Sequence, residues 1–182
     1  MKELSLNILD IAENSVKAKA TLTEILLDET DNKLTLTIKD NGCGMTAEIL
    51  ANVTDPFCTT RTTRKVGLGL PFLKLQVEQT GGNLKIASKY IDDFPLEHGT
   101  TVTATFNKNH IDHTPLGDVV SSIITLIHGH PDTDFLFLHK LCSKEISLDT
   151  RQVREILGDI PLNSFEVIKW IEEYLKEQYS EN

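Results

Sequence analysis

Asp10 and Asn14 stand four residues apart in "LDIAENSVKAKAT", a spacing that places both on one helical face, with Lys17 a further turn along. A carboxylate and an amide oxygen on one face can order a water and coordinate a hard cation such as magnesium. A plain solvated helix face has the same composition. Asp40 opens "DNGCGM", two glycines around Cys43 directly after the alternating run "KLTLTIKD". Glycine permits backbone geometry and close approaches that a β-carbon forbids. The stretch is therefore either a tight turn or a place where the chain passes close to a ligand. A third candidate is "TDPFCTTRTTRKVGLGL", where Arg61, Arg64 and Lys65 precede Gly67 and Gly69 and "GLGL" opens a helix. Backbone N–H groups at a helix N-terminus favour phosphate. No GxxxxGK[ST] occurs, and no third glycine follows Gly44 in a βαβ context, so neither a P-loop nor a dinucleotide fingerprint is present.

Periodicity supplies the elements that must hold these residues. Apolar positions from Leu4 to Val16 predict a first helix over about Ser5–Ala18. "TLTEILLDETDNKLTLTIKD" reads as two strands around a turn; Leu34, Leu36 and Ile38 alternate with polar residues, as one buried sheet face requires. A short helix fits "TAEILANV" with Thr46 as its cap. After the basic loop, "LPFLKLQVEQTGG" is a helix with Pro71 in its first turn and Gly81 and Gly82 at its end. "NLKIASKY" and "GTTVTATF" are two further strands. Residues 1–108 thus read as an α/β (α+β) sandwich, a mostly antiparallel sheet covered by helices on one face.

The polar stretch "NKNHIDHTP" marks a boundary, and residues 109–182 read as a small α+β appendage. It holds an apolar helix from Leu116 to Ile127, a hairpin in "DFLFLHKLCSKEISLD" and two closing helices. Asn163 and Glu166 form a capping-box pattern ahead of the last helix. Its Phe165, Ile168, Ile171 and Leu175 read as a core stripe. Trp170 and Tyr174 suit either packing or a partner-binding face. "HGHPDTDF" gathers His128, His130, Asp132 and Asp134, but a polar turn gives the same letters and no scaffolded second pair of metal ligands follows. His139 reads as a strand residue, and Cys43 as a buried, inert thiol.

Bulk properties narrow the field. The chain has 182 residues, 40% hydrophobic and 25% charged, within the ordinary globular range. Eighteen basic and 27 acidic residues give a net charge of −9, which disfavours a general nucleic-acid binder. Three scattered cysteines without a CxxC pair point to a reducing compartment. No signal-peptide core and no run approaching a membrane span occur, so the expectation is a cytoplasmic protein.

Taken in order, the motifs resemble the GHKL ATPase superfamily, which includes gyrase-type topoisomerases, mismatch-repair ATPases and sensor histidine kinases. "LDIAENSVKAKAT" resembles the N box, "DNGCGM" the first glycine box, "DPFCTTR" the phenylalanine box and "VGLGL" the second glycine box. "GGNLKIAS" and "HGTTVTATF" resemble the closing strands. The resemblance spans about residues 4–106 and implies a Bergerat-type ATP-binding fold with ATP and Mg2+ as cofactors. By the same resemblance, Asn14 coordinates magnesium, Asp10 takes the place of the glutamate that activates the attacking group, and Lys17 reaches a phosphate. Asp40 accepts from the adenine amino group, Gly42 and Gly44 let the chain pass the base, and Thr100 completes the contact through water. Residues 57–66 form a lid in which Arg61 meets phosphate, and Gly67 and Gly69 shape the turn into the next helix. Phosphoryl transfer needs positioning and charge neutralisation above all, so this set is sufficient in kind.

Three departures qualify the likeness. Asp10 is one methylene shorter than glutamate, Lys65 occupies the first glycine position of GxGLGL, and Pro71 replaces a small residue. Only nine residues precede Asp10, so no phosphoacceptor hairpin or membrane sensor is expected ahead of it. The functional expectation is an ATPase or ATP-dependent protein kinase acting on an unidentified protein partner. An ATP-gated binding switch of the anti-sigma type comes second, and a DNA-processing ATPase third.

Overall fold

Strand pairing begins with a local hairpin. β1 (Leu22–Glu29) and β2 (Lys33–Asp40) run antiparallel, so Ile25 meets Ile38 and Leu27 meets Leu36 on one buried face. The computed structural model describes residues 3–55 and 68–180 of the chain. β3 (Asn83–Lys89) and β4 (Gly99–Asn107) form a second antiparallel pair, and β4 joins β2 so that Ile38, Leu36 and Leu34 face Val102, Ala104 and Phe106. These residues alternate in sequence and stack across the sheet because side chains on a strand point to opposite faces in turn.

The third pair, β5 (Asp134–Lys140) and β6 (Glu145–Asp149), is the hairpin expected in the C-terminal segment. It builds no sheet of its own. β5 adds to β1 in parallel, with Thr23 opposite Phe135 and Ile25 opposite Phe137, giving one six-stranded sheet in the order β3-β4-β2-β1-β5-β6. β5 and β6 thus extend the sheet across the edge that β1 would otherwise expose.

Helices pack side by side over the buried face. α1 (Leu4–Lys17) contacts α3 (Gly69–Gln79) on one side and α4 (Val119–Gly129) on the other, and α4 contacts α6 (Phe165–Ser180). Each contributes an apolar stripe: Leu4, Ile8 and Ile11 from α1, Leu73 and Val77 from α3, Ile123 and Ile127 from α4, Ile171 and Leu175 from α6. The short α2 (Ala47–Asn52) is capped by the Thr46 hydroxyl, which accepts from the Ile49 N–H, as its sequence predicts. α5 (Thr150–Leu157) is capped by Asp149, which accepts from the Arg151 N–H. α3 ends at Gly81 and Gly82, whose N–H groups donate to the Glu78 and Val77 carbonyls.

Two expectations for α6 change. The helix opens at Phe165, so the capping-box register starting from Asn163 is not used. Phe165 is also 77% exposed, leaving Val167, Ile171 and Leu175 as the buried stripe. Residues 165 and 171 are too far apart around the helix for one narrow face to take both.

The C-terminal end of α6 is fastened to the sheet by polar contacts. Buried His139 on β5 lies 2.8 Å from the Tyr179 hydroxyl through Nδ1 and 3.1 Å from Glu29 through Nε2, and Lys108 pairs with Glu29 at 2.7 Å. Burial pushes the His139 ring below the usual imidazole range and the Tyr179 hydroxyl above the usual phenol range. Burial also raises Glu29, but hydrogen bonds from Lys108 and His139 outweigh it and hold the carboxyl low. Beside them the Gln178 amide accepts from the Ser147 N–H at 3.0 Å and donates to the Ser147 carbonyl at 3.1 Å. It thereby occupies the outer edge of β6 as another strand would.

Candidate functional site

The site is assembled where α1, the end of β2 and the start of α3 meet. Asp10, Asn14 and Lys17 all face solvent from α1, while Ile8, Ile11 and Ala12 fill the core on the opposite side. Their side chains have no hydrogen-bond or ion-pair partner among the described residues. A β-carbon added to Gly69, the first residue of α3, would lie 3.3 Å from Asp10 Cβ. The N-terminus of α3 therefore abuts the acidic end of this face.

Asp40 is held with more constraint than its sequence position suggests. One carboxylate oxygen accepts from the Gly42 N–H at 2.9 Å and the Thr100 N–H at 3.3 Å. The other accepts from the Ser15 hydroxyl at 2.8 Å. An ionised carboxylate offers about four acceptor positions, so about one remains for a further donor. Ser15 follows Asn14, so the residue turned toward Asp40 and the residue turned to solvent are chain neighbours on α1.

The turn after Asp40 is closely fitted. A β-carbon at Gly42 would stand 2.8 Å from the Ala18 carbonyl oxygen, and the Cys43 N–H donates to that same carbonyl at 2.9 Å. Gly44 has φ +69°, and a β-carbon there would lie 2.0 Å from the Lys89 carbonyl oxygen. His98 Nδ1 lies 2.6 Å from the Gly42 carbonyl oxygen. The Ser88 hydroxyl accepts from the Met45 N–H at 2.8 Å and lies 2.9 Å from the Thr100 hydroxyl. Thr100 thus donates to Asp40 through its backbone, while its side chain meets Ser88, which in turn holds the Met45 N–H.

The structure brings Asp10, Asn14, Lys17, Asp40, Gly42, Gly44, Gly69 and Thr100 onto α1, the β2 turn, β4 and the start of α3. Arg61 and Gly67, with the expected lid at 57–66, lie outside the described residues. Cys43 is exposed, correcting the expectation of a buried thiol: its backbone is engaged with Ala18, which leaves the side chain at the surface. Sequence reasoning did not single out Ser15, Ser88 or His98. For Ser15 the signal was available, since a residue next to Asn14 is turned toward the sheet. His98 and Ser88 depend on long-range pairing that leaves no local mark.

Two of the four residues His128, His130, Asp132 and Asp134 have protein partners. His130 pairs with Glu13 at 2.7 Å, and Asp134 accepts from Arg154 at 2.7 Å and from the Thr150 hydroxyl at 2.9 Å. Among the described residues no three His, Cys, Asp or Glu side chains gather as a metal site. Likewise among them, no helix is long and apolar enough to cross a membrane.

Comparison with known proteins places this geometry in a family. Residues 2–110 match the family described as histidine kinase-, DNA gyrase B- and HSP90-like ATPase, and the chain belongs to it. The signal transduction histidine-protein kinase AtoS of Escherichia coli is 30% identical over 88 residues, covering 48% of this chain and 14% of the kinase. Sensor histidine kinase YvrG of Bacillus subtilis is 31% identical over 101 residues, 52% of this chain and 16% of that protein. The chain therefore corresponds to a small part of these relatives. In fold, the Aquifex aeolicus MutL ATPase domain complexed with ADP superposes with a TM-score of 0.58 at 13% identity, covering 95% of this chain and 88% of the other. The α+β architecture is that of GHKL ATP-binding domains, and residues 2–110 are an ATP-binding domain of that type.

Proposed function

We propose that this protein is a magnesium-dependent GHKL ATPase or ATP-dependent protein kinase that acts on a protein partner in the cytoplasm. One observation carries the reading: the Asp40 carboxylate is fixed by Ser15, Gly42 and Thr100 and keeps an acceptor position for one more donor. An adenine 6-amino group is a donor of that kind. Gly42 and Gly44, which let the turn pack against the Ala18 and Lys89 carbonyls, would hold the chain where it passes the base, and the Thr100 hydroxyl beside Ser88 would complete the contact through water.

On α1, Asn14 would hold magnesium through its amide oxygen, and Lys17 and Arg61 would meet phosphate. When bound, magnesium supplies charge neutralisation for the triphosphate. Asp10 would orient the attacking water or hydroxyl and accept its proton. Gly67 and Gly69 would shape the turn into α3, and Gly69 keeps a side chain from pressing on Asp10. The exposure of Asp10, Asn14 and Lys17 supports these roles, because groups already engaged in ion pairs would have to break them first.

Calorimetric titration of ATP with excess magnesium tests the reading. The wild type is expected to bind, and both Asp40→Asn and Asn14→Ala to fail while remaining folded. No binding by the wild type sinks it. The shortness of Asp10 favours a second reading, an ATP-gated switch with little turnover. Partner binding unchanged in Asp10→Ala, with hydrolysis absent in the wild type, would select it.

A further inference from the structure

Trp170 and Tyr174 lie one turn apart on α6 with ring centroids 5.3 Å apart and planes 12° from parallel. They are 48% and 38% exposed, so this stacked pair is a surface feature beside the buried stripe of Val167, Ile171 and Leu175. Trp170 is the chain's single tryptophan. A large aromatic pair left partly in water is a preferred anchor for a protein partner.

The surrounding charge says which partner. Helical spacing puts Glu166, Glu173 and Glu177 at i−4, i+3 and i+7 from Trp170, on its outer side, and all three are exposed. Among the described residues, only Glu173 of the three has an ion-pair partner, Lys169 at 3.8 Å across open surface. An exposed pair at that distance contributes little, so the carboxylates remain available. α6 carries four glutamates against two lysines, and the chain as a whole carries −9. A nucleic acid or an anionic membrane would bring negative charge to a negative stripe, as would a second copy docking through this same face. Guanidinium groups suit both halves of the surface, since they pair with carboxylates in bidentate fashion and stack on aromatic faces.

We infer that the Trp170–Tyr174 pair with Glu166, Glu173 and Glu177 is a docking surface for an arginine-rich segment of a partner protein. The inference rests on the proposed function only in taking the partner to be a protein, and the surface is formed by α6 without the nucleotide residues. Burial of Trp170 under a guanidinium makes its emission the direct readout.

The test is a fluorescence titration of the full chain, without nucleotide, using hexa-arginine, hexa-lysine and hexa-glutamate peptides. A saturable change with hexa-arginine is expected, weaker with hexa-lysine, absent with hexa-glutamate. Glu166→Gln with Glu177→Gln should weaken hexa-arginine binding at least about tenfold. Tyr174→Ala, which keeps the reporter, should weaken it about threefold to fivefold. Because these side chains are exposed, circular dichroism should show both variants folded. Failure of hexa-arginine to saturate, or equal affinity in the wild type and the variants, overturns the inference. Since ATP is absent, that failure leaves the nucleotide reading untouched.

Discussion

Asp40→Asn changes one atom and has a calculable effect on nucleotide choice. The oxygen that accepts from Gly42 and Thr100 can remain an oxygen, because two N–H donors fix that side of the amide. The new NH2 group then occupies the side facing Ser15, whose hydroxyl can reverse and accept instead of donating. The fold keeps all three contacts, so the melting temperature should move little. The ligand side changes sign: an amide donor now faces the adenine amino donor. A charge-assisted bond is lost and two donors are left opposed, together about 2–4 kcal/mol, or roughly 30- to 1,000-fold in affinity. A 6-oxo base presents an acceptor at the same place, so inosine triphosphate should bind the variant better than ATP does and the wild type worse. Calorimetry with both nucleotides reads the reversal. A folded Asp40→Asn variant that binds ATP within about twofold of wild type refutes the adenine contact.

Four further outcomes are expected. Gly44→Ala forces a β-carbon into the Lys89 carbonyl and into left-handed backbone geometry, costing at least about 2 kcal/mol, and differential scanning calorimetry should show Tm lower by roughly 5 °C or more. His139 and His113 are both depressed, chiefly by burial, so the unfolded chain takes up protons first as pH falls below about 6.5. Stability should be fully present above that pH and decline as it falls through the lower folded values; urea unfolding at pH 7.5 and 5.5 should show a smaller difference in His139→Gln. Gln178→Ala removes both bonds to Ser147 and opens the β6 edge, so sedimentation should become concentration-dependent, with a stability loss of about 1–2 kcal/mol. A maleimide should label exposed Cys43, and MgATP should slow that labelling relative to exposed Cys142.

Local pattern foretold local structure here. The alternation of Leu34, Leu36 and Ile38 gave a strand buried on one face, and the helical spacing of Leu4, Ile8 and Ile11 gave α1 with Asp10 and Asn14 directed away from the core. Gly81 and Gly82 ended α3 because a helix terminus is written in a few adjacent residues. What could not be read depends on distant pairing. β5 looks like half of a hairpin, and nothing in "DFLFLHK" says that its other edge belongs to β1. The Asp40 clamp is similar: the aspartate and its glycines stand out, whereas the Ser15 and Thr100 donors come from α1 and β4. Exposure at the ends of regular patterns was the least legible, since Phe165 continues an apolar series by letter yet falls beyond the contact zone of its helix.

The parallel seam between β1 and β5 also sets the order in which a growing chain can fold. β1 and β2, then β3 and β4, can pair soon after they are made, and β2 can join β4 to give four strands of the sheet. Leu22 must then wait for Asp134, and during synthesis β1 carries an uncovered edge rich in aliphatic residues. Long-range closure of this kind is slow, and an open edge is a template for pairing with another chain. Residues 134–149 act in this respect as a seal delivered late. A chain stopped at residue 108 should accumulate in aggregates even though its family match, residues 2–110, is almost whole.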